Sequence, residues 1–280
     1  MSSSESRVAA SLERMRAAGH HPNRELGQNF LIDANMLGVV AREAEVGPED
    51  VVLEVGGGLG ILSEHLAPLA KHLHVVEVDR SLEEVLTESV EPFDNVTLHF
   101  ADALELDLGA LDPAPTKLVA NLPYGIAAPL ILDSVFVLPQ CKTWVGMVQK
   151  EVGERLAAGP GTKTYGAPSV IAQLSCRVKV VRSVSRNVFM PVPNVDSVIV
   201  RLDRVAPTQP ESVRGLVRDS FAHRRKALPK SLSIARQGEP QMRDLARRAL
   251  VEMGLREDTR AEALKPEQFV ELADRMGLHG

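Results

Sequence analysis

The stretch VVLEVGGGLGIL (residues 51–62) places three glycines directly after a run of β-branched residues and at the start of a helical pattern. The run predicts a buried strand. Gly56, Gly58 and Gly60 predict a turn whose backbone can approach a ligand closely and present helix N-terminal N–H groups to it. The dinucleotide spacing G-x-G-x-x-G would require glycine at position 61, which is Ile61. A dinucleotide-binding enzyme is therefore disfavoured, although it stays open as an alternative.

Strand and helix patterns alternate through the first half of the chain. Besides 51–55, strands are predicted at 72–78, 96–100, 117–120 and 143–148, with helices at 61–70, 81–90 and 129–137. This alternation predicts right-handed βαβ crossovers and a parallel sheet with helices on both faces. Strand patterns at 174–184 and 197–205 have no long helix between them and predict an antiparallel pair at one sheet edge. The predicted fold class is α/β and Rossmann-like.

A proline-rich break, APTQPES at 206–212, separates this part from a helical remainder. Helical patterns follow at 212–223, 240–254 and 266–276. We predict a sheet domain over residues 1–206, with an N-terminal arm of about residues 1–30. A small C-terminal α-helical domain is predicted over residues 207–280.

Composition argues against a metal site, a membrane span and a signal peptide. The two cysteines, Cys141 and Cys176, lie in apolar segments without a Cys/His cluster, which indicates core thiols in a reducing compartment and no metal site. The sequence has no apolar run of about 18 residues. The N-terminal stretch has no apolar signal region. We expect a cytoplasmic monomer that does not associate with membranes.

Charge is strongly polarised along the chain. The net charge is −5, but residues 43–133 carry 3 basic and 18 acidic side chains, a difference of −15. Residues 142–236 carry 17 basic and 6 acidic side chains, a difference of +11. Such a basic zone can attract a polyanion such as RNA. The alternative is that the charges only solvate the surface.

Two acids follow the second and third predicted strands. Glu77 ends the strand VVEV, where it can accept both hydroxyls of a ribose. Asp102, in ADAL, can accept from an adenine amino group or can cap a helix. For Glu77 the alternative is a solvated acid. A ligand with a ribose and an adenine but no pyrophosphate fits this set, and S-adenosylmethionine is such a ligand.

The sequence NLPYG at 121–125 ends the fourth predicted strand, at the edge where open α/β sheets bind ligands. The residues of this turn suit the methylation of an exocyclic amine such as adenine N6. That amine is a poor nucleophile, because its lone pair is delocalised into the ring. The side-chain carbonyl of Asn121 and the backbone carbonyl of Leu122 can accept its two hydrogens. Pro123 fixes the backbone direction. Tyr124 can stack on the base and favour the cation that develops.

A base inside a duplex must be flipped out to reach such a site, and it is then held between apolar or aromatic side chains. Phe189, in the proline-rich stretch NVFMPVPNVDSVIV, is the candidate for the second face of the base. The alternative for Phe189 is a loop residue that anchors a core.

The chain resembles the ribosomal RNA adenine N6,N6-dimethyltransferases of the KsgA type. The resemblance spans about residues 24–235 and rests on ELGQNFLID, EVGGGLGILSEHLA, VVEVDR, ADAL, NLPYGIAAPLI, FMPVPNVDSVIVRL and FAHRRKALPKSL. It implies an S-adenosylmethionine-dependent enzyme that dimethylates two adjacent adenines near the 3′ end of small-subunit (16S) rRNA. It also implies a role in small-subunit biogenesis, with the immature small subunit as partner.

The resemblance also implies roles for individual residues. It places cofactor contacts at Gln28, Asn29, Leu31, Gly56, Glu77, Asp102 and Asn121. It places target-base contacts at Asn121, Leu122, Tyr124 and Phe189. The basic motif of the family falls on Arg224, Arg225 and Lys226, where phosphate contacts would position the enzyme; a solvated helix face is the alternative.

Some positions differ from the family pattern. The segment NRELGQNF is less basic than usual, Asn194 replaces a cation, and Ala227 replaces a threonine. These differences concern ribosome affinity rather than the cofactor site. One rival is a large-subunit adenine methyltransferase of the macrolide-resistance type, although such enzymes usually have isoleucine in place of Leu122. Another rival is a non-catalytic RNA-binding assembly factor, against which the intact Asn121 and Tyr124 argue.

Overall fold

The computed structural model describes residues 3–17, 19–23 and 26–278. The start of the predicted N-terminal arm, and Arg24 and Glu25 of NRELGQNF, lie outside these ranges. The chain divides into two compact units. The first comprises Met1–Gly153 and Lys179–Arg204, and the second comprises Glu154–Val178 and Val205–Gly280.

The described residues contain a seven-stranded sheet. Its strands are β2 (Val51–Val55), β3 (His72–Glu77), β4 (Val96–Phe100), β5 (Lys117–Asn121), β6 (Thr143–Gln149), β7 (Cys176–Val184) and β9 (Ser197–Arg204). They lie side by side in the order β4-β3-β2-β5-β6-β9-β7. Strands β2 to β6 pair in parallel, and β9 runs antiparallel to β6. Strand β7 neighbours β9 at the edge of the sheet. The α/β, Rossmann-like fold class is confirmed.

The central strands are covered on both faces. All five residues of β2 are buried, and so are the first six of the seven in β6. Continuous apolar runs of this kind are typical of strands between two layers of helices. The indole of Trp144 on β6 is fully buried, and its Nε1 donates to Ser134 Oγ at 3.0 Å. This pairing satisfies the one polar atom of the largest side chain in the sheet.

Eleven α-helices lie in the described residues. They are α1 (Ser3–Ala17), α2 (Ala34–Ala44), α3 (Ile61–Leu66), α4 (Glu83–Val90), α5 (Ala127–Val137), α6 (Lys150–Leu156), α7 (Ala167–Gln173), α8 (Glu211–Ala222), α9 (Leu228–Ala235), α10 (Met242–Glu252) and α11 (Pro266–Arg275). Helix α3 is shorter than the predicted 61–70. Pro68 has no N–H to donate and its ring obstructs a preceding carbonyl, so the helix ends before it. None of the described helices is long and apolar enough to cross a membrane.

The second unit has a core of its own. Tyr165, Leu216 and Phe269 are fully buried in it, and the Tyr165 hydroxyl donates to the Leu264 carbonyl at 2.9 Å. Its later part begins at Val205, close to the boundary predicted from the proline-rich break. Residues 154–178 also belong to this unit, although the sequence prediction placed them with the sheet. They join it because Tyr165 and Val170 contribute to the same core as α8 and α11.

A short two-stranded sheet completes the first unit. Strand β1 (Phe30–Leu31) pairs with β8 (Phe189–Met190), so that Leu31 lies opposite Phe189. In the large sheet, β2 has β3 on one side and β5 on the other. This is the switch point at which an open parallel sheet leaves a crevice at the carboxyl ends of its strands.

Candidate active site

A cavity of about 230 Å³ lies at the carboxyl ends of β2, β3 and β5. It brings together most of the residues predicted from the sequence. The predicted residues that line it are Gln28, Asn29, Gly56, Gly58, Glu77, Asp102, Asn121, Leu122 and Tyr124. Three predicted residues, Leu31, Gly60 and Phe189, are not in its lining.

The glycine turn forms one wall of the cavity. Gly56 and Gly58 have φ values of +83° and +55°, a region that residues with a side chain adopt at a cost. A Cβ on Gly56 would lie 3.1 Å from Pro123 Cδ, and one on Gly58 would lie 3.1 Å from the ring of Phe30. The absence of these side chains therefore keeps the turn close to two neighbouring segments. Its N–H groups are used within the protein, since the Gly56 N–H donates to the Val76 carbonyl at 2.8 Å and the Gly58 N–H donates to Glu77 Oε2 at 2.8 Å.

Gly60 serves packing rather than the cavity. It precedes α3 with φ +75°, and a Cβ there would overlap the side chain of Ser89 on α4. The Ser89 hydroxyl donates to the Leu59 carbonyl at 2.9 Å, which fixes the same turn from behind. The G-x-G-x-G spacing thus combines two glycines at the cavity with one at a helix contact.

Glu77 connects its strand to the glycine turn. Its Oε2 accepts from the Gly58 N–H at 2.8 Å, and its Oε1 accepts from the Asp79 N–H at 2.9 Å. Burial raises the pKa of Glu77 above its usual value, while these two backbone donors oppose the shift. Each oxygen keeps a further lone pair, so the carboxylate can accept from a ligand while it holds the turn.

Asp102 lines the cavity and caps a turn, not the helix considered as the alternative. Its Oδ1 accepts from the Leu104 N–H at 2.9 Å, which caps the turn after β4. The residue is exposed, and its neighbour Ala103 also lines the cavity. Capping occupies one carboxylate oxygen and leaves Oδ2 for a ligand.

The Asn121 amide is oriented by a single contact. Its Nδ2 donates to the backbone carbonyl of Asn29 at 3.0 Å. Since a carbonyl only accepts, this bond fixes which side-chain atom is nitrogen and directs Oδ1 away from Asn29. Within the described residues, no donor is bonded to Asn121 Oδ1. An acceptor at the end of β5 is thus held in place for a ligand.

The segment before β1 supplies that contact and lines the cavity with residues 26–29. Asn29 Nδ2 donates to the Gly27 carbonyl at 2.8 Å, and Gln28 Nε2 donates to Asp79 Oδ2 at 2.6 Å. Gln28 thereby ties this segment to the end of β3, next to Glu77. Leu31 is buried in the core, so its side chain does not reach the cavity.

Leu122 and Tyr124 follow Asn121 in the turn. The Leu122 N–H donates to the Met147 carbonyl at 3.1 Å, and the side chain is buried, which leaves the backbone of Leu122 to line the cavity. The Tyr124 hydroxyl shares a hydrogen with Ser197 Oγ at 2.6 Å. Burial raises the pKa of Tyr124, so the phenol is neutral at physiological pH.

Phe189 is a buried core residue, which was the alternative to base stacking. Only 1% of its surface is exposed, and it packs in the main core of the first unit. Its backbone pairs with Leu31, which turns the segment into a short strand rather than an open loop. In this structure the ring is a core anchor and is not available to stack on a base in the cavity. Phe30, which the sequence did not single out, lines the cavity instead.

Comparison with known proteins identifies the family to which this geometry belongs. The family model described as "Ribosomal RNA adenine dimethylase" matches residues 19–277. The chain belongs to the ribosomal RNA adenine dimethylase family. A relative from Bacillus mycoides (strain KBAB4), named "Ribosomal RNA small subunit methyltransferase A", is 40% identical over 267 residues, or 91% of each chain. A relative of that name from Bacillus cereus (strain B4264) has the same identity and coverage.

Two solved structures superpose on most of this dimethylase. A dimethyladenosine transferase from Plasmodium falciparum superposes with a TM-score of 0.75 and 26% identity, covering 88% of this chain and 97% of that one. The 23S rRNA methyltransferase ErmE has a TM-score of 0.66 and 28% identity, covering 89% and 100%. The resemblance noted from the motifs is confirmed.

A second buried acid lies behind the glycine turn of this dimethylase. Glu54 on β2 is 1% exposed and accepts from Ser63 Oγ at 2.6 Å. Burial raises its pKa to about 8, and the charge of Glu77 adds to the shift. Glu54 and Asn121 also line a separate small cavity of 30 Å³. A carboxyl group in this position is protonated over much of the physiological range.

Replacing Glu54 by glutamine is expected to stabilise the protein increasingly as the pH rises from 4.5 to about 8. The pKa of Glu54 rises from 4.5 to about 8 on folding, so the folded state holds the proton more firmly. Below pH 4.5 the contribution is fully present, and between pH 4.5 and about 8 the free energy of unfolding falls by about 1.4 kcal/mol per pH unit. Glutamine removes this loss and still accepts from Ser63.

Melting temperatures measured at several pH values between these limits test this expectation. The difference between Glu54→Gln and wild type should be small near pH 4.5 and grow in favour of the variant towards pH 8. Glu88→Gln, on an exposed face of α4, removes the same charge from the surface and serves as control. A constant difference across the range would show that Glu54 is ionised in the folded protein.

Proposed function

We propose that this protein is an S-adenosylmethionine-dependent adenine N6,N6-dimethyltransferase that modifies two adjacent adenines near the 3′ end of small-subunit (16S) rRNA. It acts in the cytoplasm as a monomer, without a metal, and contributes to small-subunit biogenesis. The observation that carries the proposal is the orientation of Asn121, whose Oδ1 is directed by the Asn29 contact at the end of β5. The names of the relatives that are 40% identical support the choice of small-subunit RNA.

The residues present fit S-adenosylmethionine. The turn at Gly56 and Gly58 is a cradle that a Cβ would fill, Glu77 keeps acceptor capacity beside it, and Asp102 keeps one carboxylate oxygen. These groups would hold the amino-acid part, the ribose and the adenine, respectively. When bound, S-adenosylmethionine supplies a methyl group made electrophilic by a sulfonium, and S-adenosylhomocysteine is the product.

The chain's own residues prepare the target amine. In the first transfer, Asn121 Oδ1 and the Leu122 carbonyl accept the two hydrogens of the amine; in the second, the monomethylated amine has one hydrogen left for these acceptors. Either arrangement favours a pyramidal nitrogen with a localised lone pair, and the nitrogen releases one proton to solvent after each transfer. The positive charge that develops on nitrogen is stabilised by these two dipoles and by the Tyr124 ring. Because the Asn29 contact already orients the amide, little reorganisation is needed during the reaction. No side chain with a shifted pKa has to act as acid or base.

A large-subunit methyltransferase is the second candidate, since ErmE shares 28% identity and the fold. The higher identity of the relatives named for the small subunit and the presence of Leu122 argue for the first. Purified protein with labelled cofactor should transfer methyl groups to immature small subunits and should yield dimethyladenosine. Incorporation into naked large-subunit RNA alone would reject the proposal.

The basic motif in the second unit divides into paired and free cations. Arg224 Nε donates to Glu262 Oε2 at 3.1 Å, and Arg224 Nη2 donates to the Thr162 carbonyl at 3.3 Å. Arg225 and Lys226 are exposed, and within the described residues neither has an ion-pair partner. In our proposal these two residues contact RNA phosphates, and Arg224 mainly holds the turn that presents them.

Arg225→Ala and Lys226→Ala are each expected to weaken RNA binding and to flatten its salt dependence. Each lost phosphate contact should reduce the slope of log K against log salt by about 0.7 to 0.9. Binding of a fluorescent small-subunit RNA fragment at several salt concentrations measures the slope. Arg256→Ala is a matched control, because Arg256 is exposed and paired with Asp258 at 2.9 Å. Equal slopes for all four proteins would exclude this face as the RNA contact.

A further inference from the structure

The hydroxyl of Tyr124 is tied to the sheet by a short bond to a buried serine. Ser197 Oγ lies 2.6 Å from Tyr124 Oη. Ser197 is fully buried, whereas Tyr124 is half-buried and lines the cavity. One end of the tyrosine therefore faces the cavity and the other is anchored inside the protein. Ser197 belongs to the motif PVPNVDSVIV, and the mechanism described above uses none of the residues of this motif.

The anchor is rigid because Ser197 is the first residue of β9. Its backbone lies opposite Gln149 of β6 in the antiparallel register. The preceding Asp196 carbonyl accepts from the Lys150 N–H at 3.0 Å. Tyr124, in contrast, lies in the turn between β5 and α5. The hydrogen bond thus connects a side chain of a turn to the paired strands β6 and β9.

We propose that Ser197 is a positioning residue for the methylation reaction, fixing the Tyr124 ring at the cavity wall where the flipped adenine stacks. This inference rests on the proposed function. A tyrosine side chain has two rotatable bonds before the ring, and a hydrogen bond at its far end restricts both. Base–aromatic stacking depends on the ring plane, so an untethered ring binds the base in a spread of orientations. Few of these place the amine against Asn121 and Leu122.

Three variants test whether Ser197 acts through Tyr124. Ser197→Ala and Tyr124→Phe each remove one side of the hydrogen bond and keep the ring, and the double variant removes both. Each single variant should lower kcat for small-subunit RNA by about 5- to 30-fold, the range expected for one buried hydrogen bond. The double variant should be no slower than the slower single variant, since the bond can be lost only once.

Stacking gives a readout that a merely structural serine would not affect. With 2-aminopurine at the target position of a short RNA, Ser197→Ala should weaken the quenching seen on binding, while affinity for S-adenosylhomocysteine is unchanged. Ser134→Ala is the control, because Ser134 is equally buried and accepts from Trp144 at 3.0 Å, away from the cavity. It should lower the melting temperature and leave kcat and quenching at wild-type values.

The outcomes separate this inference from the function on which it rests. Suppose that the wild-type protein methylates small-subunit RNA. An unchanged kcat in Ser197→Ala, or losses that multiply in the double variant, would then overturn the positioning role alone. If Ser197→Ala does not fold, Tyr124→Phe decides, and an unchanged kcat in that variant overturns the role. A wild-type protein that methylates no small-subunit adenine would overturn both.

Discussion

Replacing Asn121 by alanine is expected to reduce methylation by about 10²–10³-fold or more, the loss typical of one oriented dipole that acts on developing charge. The side chain offers its Oδ1 to the target amine, and the Asn29 carbonyl holds the amide in that orientation at 3.0 Å. Leu122 can offer only one further acceptor. Without Asn121, the amine keeps its lone pair in the ring, and the remaining contacts bind the base without activating it.

Binding and chemistry should separate in this variant. Affinity for S-adenosylhomocysteine, measured by calorimetry, should stay within about threefold of wild type, because the glycine turn and Glu77 remain in place. Single-turnover methylation of immature small subunits measures the chemical step. Asn95→Ala is the matched control, since the Asn95 amide also donates to backbone carbonyls, those of Ala67 and Ala70, but lies outside the cavity lining.

Two results would contradict the role of Asn121. Methylation at the wild-type rate would place the reaction elsewhere in the cavity. A loss of cofactor affinity equal to the loss of rate would make Asn121 a binding residue instead of an activating one. The Asn95→Ala protein distinguishes either result from a general loss of stability, because it loses two backbone-directed hydrogen bonds of the same kind.

The features that were predicted correctly from the sequence are those set by neighbouring residues. Strands such as Val51–Val55 and Val96–Phe100 are short runs rich in β-branched, apolar and aromatic residues and bounded by turn residues, and their ends lie where the pattern breaks. In a parallel sheet the carboxyl ends share one edge, so Glu77, Asp102 and Asn121 had to come together once the strands were known. Their meeting in one cavity follows from topology and needs no knowledge of side-chain packing.

Features that depend on contacts between segments far apart in sequence could not be predicted from local patterns. Phe189 and Leu31 become neighbours through a ladder of only two residues per strand, and such a short strand has no periodic signal. This pairing buries Phe189, which its place in a proline-rich stretch had suggested for base stacking. The contact of Phe30 with Gly58 and that of Ser197 with Tyr124 likewise join segments far apart in sequence.

One helix of the second unit was not predicted from the sequence. No helical pattern was assigned to residues 228–235, which contain Pro229, yet α9 begins at Leu228 with this proline in its first turn. Proline is well suited to that position, because the first N–H groups of a helix have no partner within the helix. The missing N–H of Pro229 therefore costs α9 nothing, and the same residue in mid-helix would have ended it.

Replacing Gly56 by alanine is expected to reduce affinity for S-adenosylhomocysteine by about 10²-fold, equivalent to about 2.7 kcal/mol. The first cause is backbone strain, because φ is +83° at this position, and an L-residue there costs about 1–2 kcal/mol. The second is contact, because the new Cβ would lie 3.1 Å from Pro123 Cδ. Relief of that contact moves either the glycine turn or the turn that carries Asn121, and both line the cavity.

Gly254→Ala controls for the loss of stability that backbone strain alone causes. Gly254 has φ +72° and is exposed, with open space where a Cβ would be built. Alanine at this position therefore introduces a similar backbone strain without displacing a neighbour. Both variants should have lower melting temperatures than wild type, but only Gly56→Ala should lose cofactor affinity and the stabilisation that S-adenosylhomocysteine confers. If Gly56→Ala binds as tightly as wild type, the cofactor does not lie against this turn, and the close approach between Gly56 and Pro123 serves packing alone.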